Sequence, residues 1–450
     1  MVRIGNTYQA HISELADNGY GIAYMQGVSI YVKQALPGEK VSVKITKRIK
    51  EGYVAEIVKW LQRDSQRINS PCTIYHRCGS CHLLHCDYRR QLVLKQDMVS
   101  RWVKSRHLSL TVQPVIGMEK PFGYRNKVII SFQKDRSGRM QKGFYEEFSH
   151  RIIPYQKCLL HDELMDEIIN SIAMIAERQR IEPYDEKRKK GFLRHVLIRK
   201  GHISGELMVV LVTAAATFPG RKNFVSALLN KHPKITTIVQ NINSRSTSVV
   251  LGDEERILYG KGKIEDMLLG NRYQISSRSF YQINHEQCEV LYRKALELLD
   301  LKGSETVLDA YCGIGTIALS ASPYAKQVVG VESNRQAVHD AICNAKLNGI
   351  ANVRFICDDA THFMEEAAAA KKRFDVVIMD PPRSGSSEEF IRACAMVRAR
   401  KVVYISCDPR TQLRDLVVFK KLGYEGERLY PVDLFPNTNH VESVSLIEKK

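Results

Sequence analysis

An apolar run at 402–405 leads into Ser406-Cys407-Asp408-Pro409, which places a thiol at the carboxyl end of a strand. Upstream lie a glycine turn, Asp309-Ala310-Tyr311-Cys312-Gly313-Ile314-Gly315, and a second strand-end motif, Asp380-Pro381-Pro382-Arg383. Glycines at such a turn let the backbone approach a ligand closely and let a helix start beneath it. A cysteine at a strand end is placed to act as a nucleophile. Together the three motifs describe a methyl-donor pocket with a thiol aimed into it. That combination points to methylation of a pyrimidine carbon.

The chemistry explains why those residues are needed. Uracil C5 is too weakly nucleophilic to attack a methylsulfonium at neutral pH. A thiolate added at C6 turns C5 into an enolate carbon, and a base must later remove the C5 proton so that the thiol can leave. Cys407 suits the first role; its alternative is a buried structural cysteine. Asp433-Leu434-Phe435-Pro436-Asn437-Thr438-Asn439-His440-Val441-Glu442 carries a loop into the last strand. Glu442 is the candidate base and His440 an orienting neighbour. Taken alone, a glutamate so near the C-terminus is a surface charge, and its claim rests on the motifs it accompanies.

On the donor side, Gly313 and Gly315 form the close approach. Glu332 ends the second strand, 17 residues after Gly315, where a carboxylate can accept from a ribose diol; the alternative is a capping or surface glutamate. Asp358 or Asp359, after the third strand, is a candidate for the adenine amino group or a helix cap. The prolines after Asp380 hold an extended turn that orients its carboxylate. Amino methyltransferases place an aromatic residue after a similar Asp-Pro-Pro. Here Arg383 follows, which disfavours an exocyclic amine as acceptor.

These residues need a scaffold. Residues 266–450 alternate strands (306–309, 327–332, 353–356, 375–380, 401–406) with helical stretches, the pattern of a Rossmann-like α/β domain with a mostly parallel sheet; 441–448 is expected to add a final antiparallel strand. Residues 1–61 show five short strands with turn signals, hence a small β-barrel. Its segment 40–70 holds eight Lys or Arg against three Asp or Glu, either an RNA-binding strand face or a solvated charged edge. Residues 62–265 form a mixed central domain, with a cysteine and histidine cluster at 72–86, a helix over 89–104 and extended runs at 127–133, 195–198, 206–212 and 235–241. Lys187-Arg188-Lys189-Lys190 is a solvated loop or a phosphate contact.

Composition narrows the partners. The 450 residues carry 67 Lys and Arg against 49 Asp and Glu, a net charge of +18. Such a field attracts polyanions, and aromatic residues among the basic ones suit base stacking. No run approaches the roughly 18 apolar residues that cross a membrane, and the N-terminus has no secretion-type apolar region. The expected localisation is cytoplasmic, where eleven cysteines are free, metal-bound or catalytic rather than disulfide-bonded. Nothing points to an obligate protein partner, and a monomer is expected.

Joined with Ser279-Phe280-Tyr281-Gln282-Ile283-Asn284, these motifs resemble the bacterial RNA uracil-5-methyltransferases over most of the chain. The resemblance implies Cys407 as nucleophile, Glu442 as proton acceptor, and Gln282, Tyr311, Glu332 and Asp380 as contacts to S-adenosylmethionine, with Gly313 in the same turn. Phe280 or Tyr281 would support a flipped base unless it belongs to the core. Residues 1–61 look like a TRAM domain, and Gly123-Tyr124-Arg125-Asn126-Lys127 resembles the start of the family's central RNA-contacting domain. The barrel and cysteines resemble the ribosomal-RNA branch, which makes 23S ribosomal RNA the expected substrate and transfer RNA the alternative. Two rival functions are an RNA-binding ribosome assembly factor without activity and a DNA cytosine-5-methyltransferase. The intact Cys407, Glu442 and Asp380 oppose the first, and the second is opposed because Cys407 follows Ser406 rather than the proline of a Pro-Cys nucleophile.

Cys72, Cys78 and Cys81 give C-x5-C-x2-C, with Cys158 as a distant fourth and Cys86 and His82 as rivals. Spacing alone leaves an iron–sulfur cluster, zinc and unrelated thiols open. The resemblance implies a [4Fe-4S] cluster on Cys72, Cys78, Cys81 and Cys158, structural or RNA-positioning rather than radical-forming, because four thiolates leave no iron open.

Overall fold

A computed structural model describes residues 2–135, 137–147, 149 and 151–450. It has three large sheets, one N-terminal, one central and one C-terminal. The N-terminal strands Thr7–His11, Glu14–Leu15, Gly21–Met25, Val28–Val32, Lys40–Ile49 and Gly52–Gln62 form one six-stranded sheet. Register shifts along the last pair bend it around Ile12, Ile30, Val32, Val41, Val43 and Ile45, since each bulge adds local twist. Glu14–Leu15 is a strand that the turn signals do not announce.

The central sheet has seven strands among the described residues. Leu193–Lys200 lies in its middle, antiparallel to Lys127–Lys134 and to Leu207–Thr213. Leu207–Thr213 is apolar on both faces because both are covered: Val209 and Leu211 face helices Glu163–Arg178 and Arg221–Lys231, while Met208 and Val210 face the C-terminal half.

The C-terminal sheet holds the candidate catalytic strand ends. Its parallel strands run in the order Val353–Cys357, Gln327–Glu332, Thr306–Ala310, Val376–Met379, Lys401–Ser406, and the antiparallel Glu442–Lys449 follows. The chain reverses its direction of growth between Thr306–Ala310 and Val376–Met379, and a ligand crevice is expected beyond the carboxyl ends of those two strands. Two findings cut across the regions read from composition. Helix Tyr88–Ser105 packs Met98, Val99 and Val103 against this sheet, and Thr111–Val112 adds an edge strand to it. The hairpin strand Lys263–Leu268 spans the expected boundary at 265/266. No described helix is long and apolar enough to cross a membrane.

Candidate active site and cysteine centre

Three strand ends bring the acids and the thiol together. Ser406 pairs with Ser443 in the antiparallel ladder, so the next positions outward, Cys407 and Glu442, face each other. Met379 is in register with Tyr404 on the parallel side, which sets Asp380 beside them. Glu442 is buried; burial first, and then the charge of Asp380, push its carboxyl up to about 8, against the pull of the Arg383 guanidinium. Burial raises Asp380 to about 7. The Cys407 thiol is pushed to about 11 by burial, Glu442 and Asp380, with Arg383 again opposing. Arg383, which in the sequence serves only to exclude amine acceptors, is therefore the cation bearing on both the candidate nucleophile and the candidate base.

The donor side sits across the reversal point. Tyr311, Gly313 and Gly315 all have positive φ, at 66°, 55° and 86°. A Cβ at Gly315 would lie 2.7 Å from the Phe355 ring, whereas one at Gly313 would meet nothing within 4 Å. Gly315 thus serves helix packing, while Gly313 presents bare backbone to open space. The Gly313 N–H donates to Glu332 Oε2 at 3.2 Å, and Glu332 Oε1 accepts from the Asn334 N–H at 2.8 Å. The Tyr311 hydroxyl meets Ser386 Oγ at 3.2 Å. The Gln282 carbonyl accepts from Asn126 Nδ2 at 2.8 Å, which ties the donor loop to the central domain. Asp359 caps the helix Ala360–Ala369 and Asp358 bonds His362, so both carboxylates already have partners.

Asp309 carries no role in the sequence reading, although it opens the glycine motif. It is fully buried and neither carboxyl oxygen has a side-chain partner. Burial, with the nearby Asp380 and Glu332, pushes it well above the usual carboxylate range. The charges of Asp380 and Glu332 bear on Asp309, and three carboxyl groups so close together suit a positively charged ligand. S-adenosylmethionine carries a sulfonium and an ammonium, so the residues present fit it.

The loop before Glu442 is held from outside the sheet. Lys95 Nζ donates to Asp433 Oδ1 at 2.6 Å, and both side chains are 0% exposed. Asp433 Oδ2 accepts from the Tyr88 hydroxyl at 2.9 Å. The Asn437 carbonyl accepts from the His82 and Leu83 N–H groups, and its side chain exchanges hydrogen bonds with Gln91 and Pro121. The Tyr124 hydroxyl donates to the Pro436 carbonyl at 3.0 Å. The barrel also touches this loop, through Asn439 Nδ2 on the Asp17 carbonyl. The His440 ring faces Phe435 and His82 at 5.9 and 6.3 Å, and among the described residues no hydrogen bond joins it to Glu442. Tyr281 belongs to the core, with its hydroxyl on Asp266, whereas Phe280 is 65% exposed.

Cys72, Cys78, Cys81 and Cys158 line one small cavity with Arg125, Tyr75 and Leu160. Cys86 stands apart among Leu15, Leu36, Leu83 and Leu94. The surroundings favour a thiolate at the fourth cysteine. Burial pushes Cys158 up, but the hydrogen bond and charge of His161 outweigh it and the net shift is downward. Arg125 is half-buried with its buried Nε unpartnered, and its charge bears on Cys81 and Cys158. Four thiolates around one zinc lie about 3.8 Å apart, given Zn–S bonds near 2.3 Å. Among the described residues only Asp358, His362 and Glu366 bring three possible ligand atoms within 4.8 Å of one another, on an exposed helix end. No three of the cysteine sulfurs come that close to one another among the described residues.

Residues 225–450 match the family described as tRNA (Uracil-5-)-methyltransferase, and residues 2–54 match the TRAM domain. An uncharacterized RNA methyltransferase of Halalkalibacterium halodurans is 40% identical over 452 residues, which cover 100% of this chain and 98% of that protein. Another from Listeria innocua is 38% identical over 453 residues, covering 100% and 99%. Among solved structures, the chain is similar to the Pyrococcus abyssi tRNA (uracil-54, C5)-methyltransferase in complex with S-adenosyl-L-homocysteine. The TM-score is 0.80 at 27% identity, over 98% of this chain and 100% of that one.

Proposed function

We propose, for a chain that belongs to the tRNA (uracil-5-)-methyltransferase family, that it methylates C5 of specific uridines in 23S ribosomal RNA through a covalent Cys407 adduct. S-adenosylmethionine dependence follows from the family and from the Pyrococcus abyssi relative. The observation that carries the covalent reading is the placement of Cys407 opposite Glu442, with Asp380 and Arg383 bearing on both. Gln282, Tyr311, Gly313, Glu332 and Asp380 would hold the donor, which supplies an electrophilic methyl group. Cys407 sulfur bonds to C6 and C5 becomes the nucleophilic carbon that takes the methyl. Glu442 then accepts the C5 proton, the C6–S bond breaks and the thiolate is regenerated. A carboxylate raised to about 8 is a better base for a carbon acid than an ordinary one.

The ribosomal target rests on the resemblance of the barrel and cysteines to the ribosomal-RNA branch, although the Pyrococcus abyssi tRNA enzyme matches 98% of this chain, the barrel included. Transfer RNA is the second reading, favoured by the Pyrococcus abyssi relative, a tRNA (uracil-54, C5)-methyltransferase. Mapping 5-methyluridine in both RNA classes, from cells with and without the protein, decides between them; loss of the base from transfer RNA alone would overturn the ribosomal reading. In this scheme 1–61 binds RNA, 62–265 contacts it and carries the cysteines, and 266–450 performs the transfer by a monomer.

Glu332→Ala should weaken S-adenosylmethionine binding by roughly 1.5–3 kcal/mol, the range for a hydrogen bond to a charged group. Unchanged affinity by calorimetry removes Glu332 from the ribose site. We also propose a [4Fe-4S] cluster on Cys72, Cys78, Cys81 and Cys158. Anaerobically purified protein should contain iron and acid-labile sulfide, and Cys72→Ser or Cys158→Ser should lose both. Stoichiometric zinc without sulfide would defeat that assignment.

A further inference from the structure

A buried and a half-buried cation lie at the seam between the central sheet and the donor loop. Lys127 and Arg199 stand directly opposite each other on antiparallel neighbours, so their side chains leave the same face of the sheet. Arg199 is 3% exposed. Its Nη2 donates to the Ser279 carbonyl at 2.9 Å, while Nε and Nη1 have no partner. Lys127 is half-buried above it. Burial pulls Arg199 down to about 10, and burial with the Arg199 charge pulls Lys127 down to about 8. Among the described residues no carboxylate bears on either.

Two other inward-facing cations do have carboxylate partners. Lys95 has Asp433, and Arg67 has Glu39 at 2.6 Å. A buried charge is normally paired, because leaving it without a counter-ion is strongly unfavourable. The face is also open alongside. Ile129, two residues along the strand from Lys127, is 36% exposed, and Phe280, next to the carbonyl that holds Arg199, is 65% exposed. The segment before Lys127 reaches the other functional parts: Tyr124 holds the base loop, Arg125 faces the cysteines and Asn126 holds Gln282.

We propose that Lys127 and Arg199 form an anion site for one phosphate of the RNA strand beside the target uridine, with Lys127 the reachable ligand and Arg199 the charge beneath it. The inference rests on the RNA-methylating function proposed above. The donor's own carboxylate shares this chemistry. RNA is the better source because both cations stand on the central sheet, whereas the donor crevice lies over the strand ends of the other sheet.

The test uses the full chain and its Lys127→Met and Arg199→Met variants, with a single-stranded uridine-containing RNA as probe. Each variant should bind RNA more weakly, and its plot of log affinity against log salt should be shallower by about 0.7, the share of one phosphate on a single strand. Calorimetric affinity for S-adenosylmethionine should not change. Lys127→Met should keep its melting temperature, whereas Arg199→Met also takes a donor from the Ser279 carbonyl and should melt lower. An unchanged salt slope in both variants overturns the site. A fall in donor affinity with the RNA slope intact assigns the cations to the donor instead and equally overturns it. If the wild-type chain binds RNA with these slopes and methylates no uridine, the site stands and the proposed reaction falls.

Discussion

Glu442→Gln is expected to leave RNA attached to the protein through denaturation, with the methyl group already on C5. The amide cannot accept the C5 proton, but Cys407 addition and methyl transfer do not need it. The covalent intermediate should therefore form and persist, with release slowed by about 10²–10⁴, the usual contribution of a positioned base. Cys407→Ala should give neither adduct nor methylated RNA, because C5 is never activated. A 5-fluorouridine substrate should trap the wild-type enzyme in the same way, since fluorine cannot leave as a cation. The base also predicts a pH signature. Glu442 acts only as the carboxylate, so release of the adduct should quicken as the pH rises through about 8 and lose that dependence in Glu442→Gln. Methylation by Cys407→Ala would end the thiol mechanism.

Two candidate positions, Cys407 and Asp380, are legible because each follows a short run made mostly of β-branched and aliphatic residues. Such runs are read directly as buried strands, and the residue just past each falls at the carboxyl edge of a parallel sheet. Val402 to Ile405 announce Cys407, and Val376 to Ile378 announce Asp380. Glu442 needs its accompanying motif, and its placement follows from one residue of ladder register, Ser406 on Ser443. Cys158 needs the resemblance, because 77 residues separate it from Cys81 and spacing says nothing at that range.

What the sequence hides is long-range pairing. Lys95 looks like one more solvated cation on a basic helix, and its partner Asp433 lies 338 residues away. The same helix falls with the central region in the sequence because it follows the cysteines, yet its apolar face covers the methyltransferase sheet. The unpaired state of Asp309, Lys127 and Arg199 is hidden for the same reason: it is defined by what does not stand opposite them. The sequence shows a charge but not whether a counter-charge faces it.

Lys95→Met is expected to cost about 3–5 kcal/mol of stability, the penalty for breaking a buried pair and leaving one charge behind. Asp433 would keep the Tyr88 hydroxyl but lose the ammonium, and the Phe435 carbonyl would lose a donor. Lys95→Met with Asp433→Leu should recover most of that loss, because apolar residues of similar volume replace a buried pair at little cost. The two variants separate stability from positioning. Asp433 is the first residue of the loop that delivers Glu442, and the pair ties that loop to helix Tyr88–Ser105. If the pair sets the base, the stable double variant should still form the methylated adduct and release it slowly, as a milder Glu442→Gln. Urea unfolding and single-turnover release, measured on the same preparations, check both halves. Wild-type release rates in the double variant would reduce the pair to a support for the fold, whereas slow release from a fully stable protein requires that the loop's anchor place the proton acceptor.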